Sequence, residues 1–295
     1  MLTNYTVIIP HYNSFDKIYR LIDSIPSRKD IQVIVIDDKS DNIEEIDKLA
    51  SYCRNREVLF IQNNTEKKGA GVCRNIGLDK VTGKWLMFAD ADDYFLENAF
   101  EVVDRFKDSD YDIVYFTPTS INLNTGKVSD RHLYFKKLID EFNAYNTKIK
   151  YNHLKYHSVI LWSRMINYSI VKDNSIRFDE TVVANDVNFS TKVAYYAKKI
   201  IALKDEIYCV TKSENTLTTK KDFNNLIVRV NVFLDQFNFL KERLDYNEFT
   251  ELDLGGRTFI ISALKDYGII KCLKIVSVLM QNKVPVIGKS VFKRK

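Results

Sequence analysis

At 295 residues, 45% of them hydrophobic and 28% charged, the chain has the composition of an ordinary globular protein, which excludes disorder. Nine Gly and four Pro are too few for long flexible linkers, and the four cysteines are scattered without a Cys-x-x-Cys pair. The net charge of +5 is uneven: from Lys265 to Lys295 eight Lys or Arg face the single acid Asp266, so the body is mildly acidic and the tail basic.

The start, Met1-Leu2-Thr3-Asn4-Tyr5, lacks a basic region followed by an apolar one. No signal peptide is therefore expected, and reduced thiols at Cys53, Cys73, Cys209 and Cys272 in a cytoplasmic protein are the natural reading. No apolar run approaches about 18 residues, so no membrane span is expected.

Along the chain, Tyr5 to Pro10, Ile31 to Ile36, Val58 to Gln62, Trp85 to Ala89 and Asp112 to Phe116 read as strands, because they are nearly continuous apolar runs of strand length. Phe15 to Ser24, Ile43 to Arg54, Gly71 to Val81 and Leu96 to Lys107 read as helices. In the first of these Ile18, Leu21, Ile22 and Ile25 recur at helical spacing. Alternation of this kind predicts a parallel sheet with right-handed crossovers. Thr117 to Lys155 is expected to be loops with added strands. Ser163 to Val171 reads as helix, Ile176 to Phe178 as extended, Val187 to Lys198 as helix and Ile200 to Val210 as strand. Two or three helices are expected from Asp222 to Met280. The division this suggests is an α/β domain over 1–215 and a helical extension with a basic tail over 216–295.

Parallel sheets bind ligands at the carboxyl ends of their strands. At those ends stand Pro10-His11-Tyr12-Asn13, then Asp37-Asp38-Lys39-Ser40, then Asn63-Asn64 with Gly69 to Asn75, then Asp90-Ala91-Asp92-Asp93. Three carboxylates in four residues supply hard oxygen ligands suited to Mg²⁺ or Mn²⁺, which take one or two from protein and the rest from phosphate and water. The competing explanation is an Asp that caps the following helix. Asp37-Asp38 could likewise be a turn before a helix capped by Asp41 or Asn42. The Gly69 to Arg74 run offers close backbone approach and a helix N-terminus suited to phosphate. It follows the third strand and has Arg74 where a dinucleotide fingerprint has its third Gly, which argues against an NAD enzyme.

In order and spacing, Val7 to Asn13, Val35 to Asp41, Gly69 to Gly77 and Phe88 to Asp93 resemble the successive blocks of glycosyltransferase family 2, inverting enzymes of the GT-A fold. The resemblance implies a Rossmann-like, mostly parallel sheet flanked by helices. It implies that Tyr12, beside Pro10, stacks on uracil and that Asp38, with Asp37 nearby, bonds its edge. Gly69, Arg74 and Asn75 would lie beside the nucleotide. Asp90 and Ala91 would hold the ribose side, and Asp92 or Asp93 the metal on the diphosphate. His11 departs from the small or aliphatic residue common there. The general base of the family's second half falls on Asp186, in Ala184-Asn185-Asp186, where the usual first acid is replaced by Asn185; Asp179 and Glu180 are fallbacks.

The implied activity is metal-dependent transfer of a hexosyl or N-acetylhexosaminyl group from a nucleotide donor, UDP by resemblance, to a hydroxyl of a glycan or lipid-linked glycan. Bacterial relatives of this size build capsule, exopolysaccharide or lipopolysaccharide. The alternatives are a sugar-phosphate nucleotidyltransferase, disfavoured by the absence of Gly from Pro10 to Ile18, and a degenerate homologue acting as an assembly partner. His153 and His157, four apart, and Trp162 are weaker candidates, and Tyr208 to Thr219 is expected beside the donor. The tail, with Ile269, Cys272, Leu273, Val276 and Leu279 on one helical face, is either a packed terminal helix or an interfacial one drawn to an anionic membrane surface. No nucleic-acid partner is expected.

Overall fold

The computed structural model describes residues 3–212 and 222–286. Four strands, β1 (Tyr5–His11), β2 (Ile31–Asp37), β3 (Leu59–Gln62) and β4 (Trp85–Phe88), lie parallel in the order β3-β2-β1-β4. The crossovers between them are α1 (Phe15–Asp23), α2 (Ile43–Asn55) and α3 (Ala70–Leu78). Alternation along β1 explains the continuous apolar runs: Val7 and Ile9 pack on the α1 and α2 face with Ile18, Leu21 and Leu49, while Ile8 packs on the α3 face with Cys73 and Leu78. Both faces are covered.

The rest of the sheet is mixed. After β5 (Tyr94–Phe95) and α4 (Ala99–Asp104) come β6 (Ile113–Asn122), α5 (Leu133–Ala144), α6 (Lys148–His157), β7 (Arg164–Asn167), α7 (Tyr168–Asp173), α8 (Val187–Tyr196) and β8 (Ile200–Lys212). The order continues β4-β7-β6-β8-β5, with β7 antiparallel to both β4 and β6 and with β6 and β8 parallel. The parallel alternation expected from the first 116 residues holds through β4, and β7 and β5 are the antiparallel members of the mostly parallel sheet.

The expected helix over 163–171 is also corrected. Arg164, Met165 and Ile166 are buried as a short strand, and Asn167 then caps α7 by accepting from Ser169 N–H. A four-residue strand followed at once by a helix mimics helical periodicity. Thr117 to Lys155 holds α5 and α6 where loops with strands were expected. The helix expected over 96–107 shortens to α4. Among the described residues the carboxyl-terminal part comprises α9 (Phe223–Arg243), α10 (Tyr246–Glu251), α11 (Arg257–Tyr267) and α12 (Ile269–Gln281). It has its own apolar cluster, in which Leu226, Val230 and Phe237 of α9 meet Ala263, Cys272, Ile275 and Leu279. The expected boundary at 215/216 lies outside the described residues. Cys53, Cys73, Cys209 and Cys272 are free and buried. No helix among the described residues is long and apolar enough to cross a membrane.

Candidate active site

The chain turns back at β1, so that β2 lies on one side of it and β4 on the other, which brings three strand ends to one rim. At the first, His11 is buried and donates from Nδ1 to Asp37 Oδ1 at 2.9 Å, while its Nε2 accepts from Ser14 N–H at 3.2 Å. These partners fix a neutral tautomer with the proton on Nδ1. Asp37 also accepts from the Ser40 hydroxyl at 2.6 Å and from Ser40 N–H at 3.1 Å. Burial would raise its pKa, yet the bonds from His11 and Ser40 outweigh burial and lower it. Asp37 is thus a buried tie between β1 and β2.

Asp38 is also buried, but it points toward α3. Its Oδ1 accepts from Asn63 Nδ2 at 2.8 Å and its Oδ2 from Gly69 N–H at 2.7 Å. Helix α2 is capped by Asn42, which accepts from Glu45 N–H, so neither Asp37 nor Asp38 serves that purpose. Tyr12 is 44% exposed, donates to Asp41 and carries Lys68 Nζ 3.8 Å from its ring centroid. Pro10 is half-buried beside it.

Gly69 has φ +130°, open to glycine alone, and ends the loop into α3. Gly71 serves another need: a Cβ there would lie 2.2 Å from the Asp179 carbonyl oxygen. It lets the strap before α8 press on α3. Asn75 fastens the same strap, accepting from Phe178 N–H at 2.9 Å and donating to the Phe178 carbonyl at 3.1 Å. Its amide holds backbone.

Arg74, from the same helix, is buried and joins the two halves of the rim. Nη2 donates to Asp90 Oδ1 at 2.7 Å, and Nη1 to Asn185 Oδ1 at 2.6 Å. Its Nε has no partner among the described residues. Asp186 follows Asn185 at the N-cap of α8, yet its carboxylate makes no capping bond, so the capping explanation fails there. Burial raises the Asp186 pKa and Asp90 adds to this, while Arg74 and Arg164 oppose it.

The loop after β4 divides its acids. Asp93 is buried: Oδ1 accepts from Thr211 N–H at 2.7 Å and Oδ2 from the Tyr208 hydroxyl at 3.1 Å, while that hydroxyl accepts from Asp90 N–H at 2.9 Å. Asp92 is anchored through its carbonyl, which accepts from Arg20 Nη2 at 2.5 Å and the Thr211 hydroxyl at 2.8 Å. Apart from its own backbone N–H, no group among the described residues is seen bonding its carboxylate. Burial and the Asp90 charge raise the Asp92 pKa. Ala91 is buried between them. Helix α4 starts after Asn98 and takes no cap from this cluster. Among the described residues no three His, Cys, Asp or Glu side chains converge as a metal site. The Asp92 carboxylate, held by no other side chain among the described residues, and the half-exposed Asp90 do fit a hard cation that takes one or two protein oxygens and the remainder from a diphosphate.

Sequence reading missed Arg20 and Arg164, and it named the stretch holding Tyr208 and Thr211 without their bonds to the acidic loop. Arg164 is fully buried in β7, donating to Ser190 Oγ of α8 at 2.7 Å. A lone charge between the apolar residues of α1, as at Arg20, was the available signal. Trp162 is a core residue stacked on Tyr208. His153 and His157 accompany the Glu251 and Leu252 carbonyl oxygens at 3.0 and 2.9 Å and tie α6 to α10. Of the stretch from Tyr208 to Thr219, residues 213–219 lie outside the described residues.

A Rossmann-like sheet with acids at the β4 end, a glycine-led helix against them and a carboxylate at the start of α8 defines the GT-A class of nucleotide-sugar enzymes. Over residues 6–173 the chain matches the family model described as Glycosyl transferase family 2, and it belongs to that family. It is 25% identical over 213 residues to the poly(ribitol-phosphate) beta-N-acetylglucosaminyltransferase TarS of Staphylococcus aureus, covering 70% of this chain and 35% of TarS. It is 26% identical over 221 residues to the glycosyltransferase GlyA of Streptococcus pneumoniae, covering 72% of this chain and 31% of GlyA. The chain spans about a third of the length of these curated relatives. Among solved structures, S. aureus TarS 1-349 in complex with UDP-GlcNAc superposes with a TM-score of 0.73 at 20% identity, over 96% of this chain and 82% of that one. The mannosyltransferase PcManGT of Pyrobaculum calidifontis, in complex with GDP-Man and Mn²⁺, gives 0.57 at 15% identity over 94% of this chain and 80% of that one. These likenesses show the GT-A fold.

Proposed function

We propose that the protein is an inverting glycosyltransferase that moves a hexosyl or N-acetylhexosaminyl group from a UDP-linked donor to a hydroxyl of a cell-envelope polymer. The observation that supports this reading is Arg74, whose two arms join Asp90 to Asn185 one residue from the uncapped Asp186. Arg74 thereby brings the carboxylates assigned to the metal and to the base close enough for Asp90 to act on the Asp186 charge. Tyr12, 44% exposed, offers a ring for the base and Asp90 an acceptor for the ribose, while Asp38, whose two oxygens accept from Asn63 and Gly69, fixes the loop into α3 beside the base. The cation, Mn²⁺ or Mg²⁺, is assigned to Asp92 with Asp90, because both oxygens of Asp93 already hold the loop to β8. When bound it would neutralise charge on the diphosphate. Arg74 stabilises the same charge from the protein side.

In the reaction Asp186 accepts the proton of the acceptor hydroxyl. The oxygen attacks the anomeric carbon, the bond from that carbon to the diphosphate oxygen breaks, and the nucleoside diphosphate leaves with the electron pair. One displacement inverts the centre. Inversion of an α-linked donor gives the β linkage named for TarS and for the Bacillus spizizenii poly(ribitol-phosphate) beta-glucosyltransferase, which is 28% identical over 210 residues. Polyol-phosphate polymers thereby join glycans and lipid-linked glycans as acceptors. The family match sets aside the nucleotidyltransferase alternative. A panel of nucleotide sugars with Mn²⁺ should release nucleoside diphosphate from one donor, and Asp92→Ala should abolish the release. No consumption of any donor, or a full rate in the variant, would refute the proposal.

A further inference from the structure

Helix α12 carries two apolar stripes, whereas a surface helix of a globular domain needs one. Cys272, Ile275 and Leu279 face inward and pack against α9 and Ala263 of α11. Ile269, Leu273 and Met280 form a neighbouring stripe that is 60%, 60% and 65% exposed, and Ile270 beside it is 81% exposed. On α11, Ile261 and Leu264 are also about half exposed.

The two helices form an antiparallel hairpin. Gly268, at φ +83°, makes the turn. At the far end Gly256 N–H donates to the Pro285 carbonyl at 2.9 Å, and a Cβ on Gly256 would lie 2.4 Å from Leu279 Cδ1. Leu264 and Ile269 to Leu273 therefore gather at the tip around Gly268. The same tip bears Lys265, Lys271 and Lys274, and Asp266 is the one acid in the sequence of α11 and α12. Lys271 lies over the rings of Phe223 and Tyr267 at 4.8 and 5.5 Å, so its charge is held in place; Lys265 and Lys274 are exposed.

We propose that this hairpin tip docks on an anionic lipid bilayer. The aliphatic side chains enter the boundary between headgroups and acyl chains, and the lysines meet the lipid phosphates. Charge decides among occupants: pairing two copies through this face would set their lysines against each other, whereas an anionic surface neutralises them. The inference is independent of the catalytic reading.

The test is co-sedimentation of the full chain with vesicles of phosphatidylcholine, alone or with about one part in three phosphatidylglycerol. The protein should pellet with the anionic vesicles only, and added salt should release it. Ile270→Asp with Leu273→Asp should weaken binding at least about tenfold. Lys265→Glu with Lys274→Glu should weaken it as well. Circular dichroism should show both variants folded, and their nucleotide release should match the parent, which separates a failed surface from a failed active site. Protein that stays in the supernatant, or variants that pellet like the parent, would overturn the proposal. So would a dimer in size-exclusion chromatography that the Asp pair converts to monomer.

Discussion

Arg74 Nη1 meets Asn185 Oδ1 at 2.6 Å across the rim, joining α3 to the residue before Asp186. Because Asn185 is neutral, the guanidinium keeps its charge for Asp90 and for a diphosphate. An acid at 185 would share that charge and push the Asp186 pKa higher. Loss of the acid usual there is therefore compatible with catalysis. Arg74→Lys, which cannot bridge two partners in a fork, should lower kcat by about 100-fold. Asn185→Ala should lower it less, since Arg74 retains Asp90. Steady-state nucleotide release on both variants checks the order.

Asp92 and Asp93 should part company on mutation. Asp93→Asn sets an amide against the Thr211 N–H and Tyr208 hydroxyl, which both donate to it, and should cost about 1–3 kcal/mol. Asp92→Asn breaks no bond to another strand and should leave Tm nearly unchanged. It should instead remove the extra thermal shift that Mn²⁺ gives in the presence of UDP. Differential scanning fluorimetry with and without Mn²⁺ reads both effects.

The first half of the rim was legible because its order repeats along the chain: each apolar run ends in polar residues, and a parallel sheet brings those ends together. What single residues do there was less legible. Asp37 and Asp38 look equivalent in sequence, yet one faces His11 inside the sheet and the other Gly69. Successive residues at a strand end point to opposite faces, and which partner waits on each face is set by elements distant in sequence. The strand β7 was hidden because four residues carry too short a pattern. The role of Gly71 was hidden because its reason, the Asp179 carbonyl, lies more than a hundred residues away in sequence.

Asp186 provides a pH test. Burial raises its pKa above the ordinary Asp value, despite Arg74. A base works only when deprotonated, so kcat/KM should climb with pH along an acidic limb displaced upward from about 3.9. Asp186→Asn should remove that limb together with at least about 100-fold of the rate. A pH–rate profile of both proteins is the measurement, and a limb unchanged in the variant would assign it elsewhere.

His11 should matter for stability more than for rate. Removing its imidazole leaves Ser14 N–H without its acceptor and the buried Asp37 Oδ1 with the Ser40 hydroxyl as its remaining donor. His11→Ala should cost about 2–3 kcal/mol in urea unfolding. Donor affinity should fall only as far as Tyr12 moves.

His157 makes folding itself sensitive to acid. Burial, and then the nearby His153, lower its pKa from 6.5 to about 4, while the Leu252 carbonyl it bonds works the other way. In the unfolded chain the same group takes up a proton near 6.5, so below that pH the unfolded state binds more protons than the native one. Stability is therefore complete above about pH 6.5 and falls as the pH drops toward 4. At pH 5 the loss from this one group is about 2 kcal/mol. His157→Gln, which keeps a donor for the Leu252 carbonyl but does not titrate, should be less stable at pH 7 and should lose about 2 kcal/mol less between pH 7 and 5. Urea denaturation of both proteins at the two pH values isolates that difference, because every other titrating group is common to the pair.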